Sequence, residues 1–308
     1  MQEPAVDVSE APDSNERQAL RDRITVLQYR GMERIAVRWP ERLGRRLFDV
    51  YARVFHAGAP SMRSTVARNL AQVLGRPPDS DAVRAAVREA FLLYGRYWYE
   101  TFRLRVMPPE EINKRFVVYR LANIDRALEA GRGGILALPH MGNWDAAGYF
   151  LCVNGYRLAA VAEQLRPKPI FEQFLRHREA LGMRIVPLTA DRQTGVELAT
   201  LLADNWLVAL VADRDLGGRG VDVEMFGASR KLPAGPALLS IRTGSPLMPS
   251  SIYTTDEGWF CRIGEPLEIE RTGETRKDVT ALTTLLARRF ERDIAARPMD
   301  WHMFQPAW

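Results

Sequence analysis

Residues 134–148 read Gly-Ile-Leu-Ala-Leu-Pro-His-Met-Gly-Asn-Trp-Asp-Ala-Ala-Gly. The run 134–138 has strand length and carries no polar position, as a strand covered on both faces requires. Pro139 ends it, and 143–154 follows as a helix with Asp145 in its first turn. A buried strand feeding a helix is the building unit of layered α/β folds. The pattern repeats on either side. Short apolar runs at 116–119, 158–162, 185–188, 206–212, 221–226, 247–253 and 259–263 alternate with amphipathic stretches at 121–130, 169–181, 195–204 and 235–243. A last helix is predicted at 279–296. From about residue 107 to 308 the expectation is an α/β part with a central mixed β-sheet flanked by helices.

The N-terminal third is different. Residues 1–15 hold four acids and no base, and with Pro, Ser and few large apolar groups they read as a disordered acidic tail. Residues 16–106 hold 18 Arg against nine acids, a net +9, and since residues 107–308 are neutral, all the excess positive charge of the chain lies in this segment. Leu20, Ile24, Leu27, Gly31 and Ile35 recur at spacings of three and four, with Arg23, Arg30, Arg34 and Arg38 elsewhere on the helix. Pro40 interrupts; then Leu43, Leu47, Tyr51, Val54 and Phe55 recur against Arg42, Arg45, Arg46 and Arg53. Further helices are expected at 64–74 and 81–104. Such helices either cap a core with their arginines in water or lie on an anionic membrane surface. Tyr94, Tyr97, Trp98, Tyr99 and Phe102 are interleaved with Arg96, Arg103 and Arg105, but their helical spacing fits a core better than a base-stacking platform, and no nucleic-acid partner is expected. With no repeat or low-complexity linker, 16–308 is expected to form a single domain.

Several classes are excluded. Among 308 residues there are two cysteines, Cys152 and Cys261, too few for a disulfide framework. No apolar run approaches the roughly 20 residues that span a bilayer, and the acidic start lacks the order of a secretory signal; a cytoplasmic location is the default. Nucleophile-elbow, Walker A, complete dinucleotide-binding and Cys-x-x-Cys motifs are missing, as are the His pairs of metal sites. No metal and no cofactor is expected. Of four histidines, His177 follows Arg176 on a helix and is expected to be solvated, and His56 falls in a predicted connector. His140 closes a strand and precedes a helix, where α/β proteins place reactive groups. Asp145 makes it His-x-x-x-x-Asp. At roughly 12% acidic residues, four histidines yield this spacing about 0.5 times by chance, so spacing alone leaves a structural, hydrogen-bonded histidine as an equal alternative.

Residues 135–148 resemble the signature block of the glycerolipid and lipid A acyltransferases, whose histidine-x4-acid motif carries acyl transfer. The blocks AVAEQLRP (160–167), LRHREALGMRIVPL (175–188), ADRDLGGRGVDVEMFG (212–227), PAGPALLSIRTG (233–244) and PMDWHMFQPAW (298–308) come after it in the same order. Together, from about Val50 onward, they are most similar to the phosphatidylinositol mannoside acyltransferases of actinobacteria. The resemblance implies transfer of a long-chain, palmitoyl-type group from acyl-CoA, a co-substrate, to a mannose hydroxyl of a phosphatidylinositol mannoside, at the cytoplasmic face of the cell membrane. His140 would be the general base, oriented by an acid. Two acids compete. Asp145 is the motif acid; Asp213 stands where these relatives have Glu in Ala-Glu-Arg-Asp, a side chain one methylene longer. If Asp213 is the partner, Asp145 is left to pair with Arg178. Glu163 and Arg214 are substrate-binding candidates, Arg214 for a phosphate or else as the ion partner of Asp215. Trp301 and His302 match the closing block and are expected to pack. Backbone N–H groups near Gly142 are oxyanion candidates. Many lipid A acyltransferases begin with a hydrophobic anchor; here peripheral docking through 16–106 would replace it, with the acyl chain in an apolar tunnel. The alternatives are another acceptor, lysophosphatidate or a different glycolipid, or a non-catalytic lipid-binding scaffold.

Overall fold

The computed structural model describes residues 12–163, 167–188, 193–215 and 217–308. Most of the expected acidic tail, residues 1–11, lies outside them, and the first helix already begins at Pro12. Four helices open the chain: α1 (Pro12–Arg38), α2 (Glu41–Gly58), α3 (Pro60–Leu74) and α4 (Asp81–Arg103). Pro40 separates the first two, a left-handed Gly75 ends α3, and the Ser80 side chain caps α4 by accepting from Val83 N. α2 buries Gly44, Phe48 and Ala52. Small residues let it approach α4: a Cβ on Gly95 would lie 2.8 Å from Ala52 Cβ. Its larger aliphatic residues point the other way. Leu43, Leu47, Val50, Tyr51 and Val54 form an exposed ridge, Val54 being 65% exposed, and Ile24 and Leu27 of α1 are exposed as well.

After a short helix α5 (Pro109–Arg115), seven strands make one sheet in the order β1 (Phe116–Tyr119), β9 (Trp259–Ile263), β8 (Leu247–Thr254), β2 (Gly134–Leu138), β5 (Leu207–Val211), β3 (Leu158–Ala162), β4 (Arg184–Pro187). Only β8 and β9 pair antiparallel; every other neighbouring pair is parallel. The expected α/β architecture with a mixed sheet is therefore found. β2 is buried at all five positions because both faces are covered. Ile135 and Ala137 join a core with Leu202, Leu247 and Phe290, whereas Leu136 and Leu138 face Ile124, Phe150 and Trp259.

Helices α6 (Ala122–Glu129), α7 (Trp144–Val153), α8 (Lys168–Ala180), α9 (Gln193–Ala203), α10 (Gly235–Thr243) and α11 (Thr275–Ala296) complete the layers. One strand and one helix escape the sequence pattern. The hairpin β6 (Val221–Met225) and β7 (Ala228–Leu232) has a second strand whose inward positions are Arg230 and Leu232, so no apolar run marks it. The helix α5 is a single charged segment with one buried residue, Ile112.

The C-terminal segment returns to the start of α7. His302 N donates to His140 O at 2.7 Å, Gly142 N donates to Asp300 O at 3.1 Å, and Met141 pairs antiparallel with Trp301. Asn69 of α3 fastens residues 303–307. Its buried amide donates to Met303 O and Gln305 O at 2.9 and 2.8 Å, and its oxygen accepts from Ala307 N. Removing such a side chain strands several buried backbone groups, each of them costly. Asn69→Ala is expected to lower unfolding free energy by about 2–3 kcal/mol, measured by urea denaturation; a loss within the noise of an exposed substitution would show that the tail holds itself.

Candidate active site

β2 and β5 pair in parallel with Leu138 opposite Val211. The chain continues two residues past each strand, so His140 and Asp213 emerge at the same level from the carboxyl edge of the sheet. His140 Nδ1 lies 2.5 Å from Asp213 Oδ1, and the His140 backbone N–H donates to Asp213 Oδ2 at 3.1 Å. Ala212 N donates to Leu138 O at 2.8 Å, which keeps the two backbones close enough for the shorter Asp side chain to reach. Trp301 Nε1 donates to the same Oδ2 at 2.7 Å, and Arg230 donates to the Asp213 carbonyl at 2.6 Å. Asp213 has no exposed surface. Burial alone would raise its pKa; the His140 charge and hydrogen bond, with the Trp301 and backbone donors, outweigh this and hold it down to about 2. An ionised Asp213 fixes the proton on Nδ1 and leaves Nε2 as the ring nitrogen able to accept one.

Asp145 is placed differently. It is 1% exposed, takes Arg178 Nε at 2.6 Å and Nη2 at 3.3 Å, and accepts from the Tyr97 hydroxyl at 3.1 Å. Burial opposes the Arg178 charge, yet Asp145 holds the guanidinium firmly protonated. The motif acid thus ties α7 to α8 and α4. Asn143 caps α7 by accepting from Ala146 N at 2.9 Å. Gly142 has φ +56°, and a Cβ there would come within 2.5 Å of Ile252 O. Only glycine fits this turn.

Several expectations are corrected. The N–H groups of Met141 and Gly142 donate to Pro139 O and Asp300 O, so these expected oxyanion donors are already committed. Arg214 pairs with Glu163 at 2.9 Å, not with Asp215, whose carboxylate instead accepts from Gly217 N and Gly220 N. His177 is 4% exposed because α8 packs its last turns inward, and burial lowers its pKa. His56 sits in the last turn of α2, edge-on to Phe91. Sequence reasoning gives Trp301 only a packing role and passes over Arg230. The latter is 7% exposed and stacked near Trp301 and Trp308 at 5.7 and 5.1 Å. Its lone sign in the sequence is a charge within an otherwise alternating stretch.

His140, Glu163, Arg178, Arg214 and His302 share one cavity of about 290 Å³. Its remaining walls are mainly apolar, from Phe116 and Val118 of β1 through Leu136 and Leu138 of β2 to Phe150 and Leu151 of α7. Trp144 meets the His140 ring edge-on at 5.4 Å. One cavity therefore offers the His140 imidazole, held from behind by the buried Asp213 carboxylate, together with two guanidinium groups and mainly apolar walls.

Fold and site together are those of an acyltransferase. The model of the bacterial lipid A biosynthesis acyltransferase family matches residues 12–308. The phosphatidylinositol mannoside acyltransferase of Mycolicibacterium smegmatis is 39% identical over 286 residues, covering 92% of this chain and 91% of its own. The proteins of that name from two strains of Mycobacterium tuberculosis are 40% identical over 276 residues, covering 87% of this chain and 84% of theirs. The chain belongs to the bacterial lipid A biosynthesis acyltransferase family.

His302 gives the site a measurable pH signature. Its Nε2 donates to Gly142 O at 3.0 Å, while Nδ1 is buried with no hydrogen-bond partner among the described residues. Burial drives its pKa down to about 3, overriding that hydrogen bond. The unfolded chain therefore binds a proton at this residue that the folded one refuses, and stability falls as pH drops below about 6.5. Between pH 7 and 5.5 this residue should cost about 1 kcal/mol. In His302→Asn, whose amide can still donate to Gly142 O, that increment should vanish from the pH dependence of denaturation; parallel pH curves for the two proteins would contradict it.

Proposed function

We propose that this protein is a peripheral membrane O-acyltransferase that moves a long-chain, palmitoyl-type group from acyl-CoA to a mannose hydroxyl of a phosphatidylinositol mannoside. The observation that carries the proposal is that His140, held from behind by the buried Asp213, lines the same cavity as the apolar walls that suit an acyl chain. The names of the mycobacterial relatives supply the acceptor. His140 Nε2 takes the hydroxyl proton as the oxygen attacks the thioester carbonyl. The C–O bond forms, the C–S bond breaks, and the imidazolium returns the proton to the departing CoA thiolate. Asp213 stabilises the imidazolium in between and never leaves its ionised form at neutral pH. Glu163 and Arg214, partly exposed at the same cavity, would meet headgroup hydroxyls or a phosphate.

With labelled palmitoyl-CoA and mannosylated phosphatidylinositol, the wild type should form the acylated mannolipid. His140→Ala should lose roughly a hundred- to ten-thousand-fold in kcat/KM, and Asp213→Asn should lose most of the same factor with intact folding. Undiminished turnover in His140→Ala, or acylation of lysophosphatidate alone, would refute the assignment.

Membrane docking through α1 and α2 accounts for two features at once. The apolar ridge Leu43–Leu47–Val50–Val54 is exposed, and Arg30, Arg34, Arg38, Arg42, Arg46 and Arg53 are exposed around it. Among the described residues no helix is long and apolar enough to cross a membrane. Arginines near an anionic surface contribute about 1 kcal/mol each. Cosedimentation with anionic vesicles should therefore weaken at high salt and on charge reversal of Arg30, Arg34 and Arg38. It should weaken independently of salt in Leu43→Ser/Val50→Ser/Val54→Ser; insensitivity to all three changes would leave these helices as packing elements.

A further inference from the structure

A second cavity, of about 300 Å³, lies among α1, α2, α4 and α8. Apart from Thr25 and Gln28, its described lining is aromatic, aliphatic or glycine. Met32 of α1, Phe55 of α2 and Ile170 of α8 belong to it and not to the cavity that holds His140. Three residues, Tyr94, Trp98 and Phe174, line both cavities, so a single aromatic partition separates them. Trp98 and Phe174 stack edge-on at 5.5 Å in that partition. On its other side the second cavity reaches Tyr51, which is 45% exposed and stands on the apolar ridge of α2.

We infer that this second cavity receives one hydrocarbon tail of the two-tailed lipid acceptor; the inference rests on the acyl-transfer function proposed above. Four observations favour that occupant. The lining offers almost nothing to a polar group, and an alkyl chain is stabilised in such a space by each methylene it buries. The volume matches that of the first cavity, which suits one chain. Through Tyr51 the cavity is continuous with the exposed ridge, so a tail can pass from an apolar surface to an apolar interior without crossing water. The exposed arginines around the ridge complement an anionic headgroup, whereas the acyl chain of the donor has its own place beside His140. A tail anchored behind the Tyr94–Trp98–Phe174 partition would hold the headgroup near His140 and Arg214. The enzyme would then distinguish a diacyl acceptor from a soluble sugar by its tail as well as by its sugar.

Two variants and one labelling experiment test this on the full chain. Met32→Trp and Ile170→Trp each fill part of the second cavity. For each, kcat/KM is measured with mannosylated phosphatidylinositol and with the same headgroup stripped of both tails. The ratio of the two values should fall at least about tenfold relative to wild type, since several buried methylenes are displaced. A folding defect lowers both values and leaves the ratio unmoved, which counts against the proposal. In the wild type, phosphatidylinositol bearing a diazirine in one tail, presented in anionic vesicles, should crosslink to peptides containing Met32, Phe55 or Ile170. Crosslinking of those peptides by diazirine-labelled palmitoyl-CoA instead would overturn the assignment of the tail. If neither mannosylated acceptor is acylated yet the lipid probe still labels these peptides, the proposed reaction fails and the tail site stands. Acylation with an unchanged ratio and no labelling reverses that outcome.

Discussion

The Asp213 carboxylate is the point on which the rest of the site depends. It is fully buried and carries a charge, a combination that persists only when the charge is paired and hydrogen-bonded. Its partners come from three distant parts of the chain: the ring and backbone of His140, the indole of Trp301 and, through its own carbonyl, Arg230. Each imposes a condition on the fold. The parallel register of β2 and β5 must set His140 and Asp213 level. The C-terminal segment must pair with residues 140–142 to deliver Trp301. The β6–β7 hairpin must close under Asp213 to deliver Arg230. The Asn69 contacts with Met303, Gln305 and Ala307 then belong to the same requirement, because a loose tail would take the indole away from the carboxylate.

Asp145 shows why equal burial does not give equal roles. It is as hidden as Asp213, yet it faces a permanent cation and a phenol rather than an imidazole. Arg178 cannot accept a proton at working pH, so this pair can hold three helices together but cannot move a proton. Breaking it would leave a charge buried and uncompensated, which is strongly destabilising. The histidine-x4-acid spacing thus has a physical content other than a dyad. The acid lies in the first turn of the helix, where it fixes the orientation of the element that follows the histidine loop.

Much of this is legible in the residues. Strands β1, β2, β3 and β9 match the apolar runs to the residue, and in β2 two covered faces leave no polar position to blur the pattern. The histidine at the strand end is also visible, while the competing acid in the Asp-Arg-Asp block and the alternative Asp145–Arg178 pair come only through the family resemblance. The features that escape have a common cause. β7 buries an arginine, α8 buries His177, and Trp301 serves a carboxylate as well as packing; in each, a polar atom depends on surroundings far away in sequence. Residue type indicates burial, but only tertiary structure supplies the partner. The commitment of the Gly142 N–H is hidden for the same reason, because its acceptor is Asp300.

The surface of α2 bears on what the N-terminal helices are for. A helix that merely caps a core turns its large aliphatic side chains inward and its arginines out. α2 meets its neighbours with Gly44, Phe48 and Ala52 and exposes Leu43, Leu47, Val50 and Val54. Its periodicity is therefore amphipathic on the wrong side for a cap in water, and the arginines flank the apolar ridge instead of replacing it. Contiguous exposed apolar surface is selected against in monomeric proteins unless something covers it. A lipid surface satisfies both halves of the pattern, since hydrocarbon accepts the ridge while anionic headgroups accept the arginines. The same helix closes the second cavity on its inner side, so the element proposed to rest on the membrane is also a wall of the space proposed to receive a tail drawn from it.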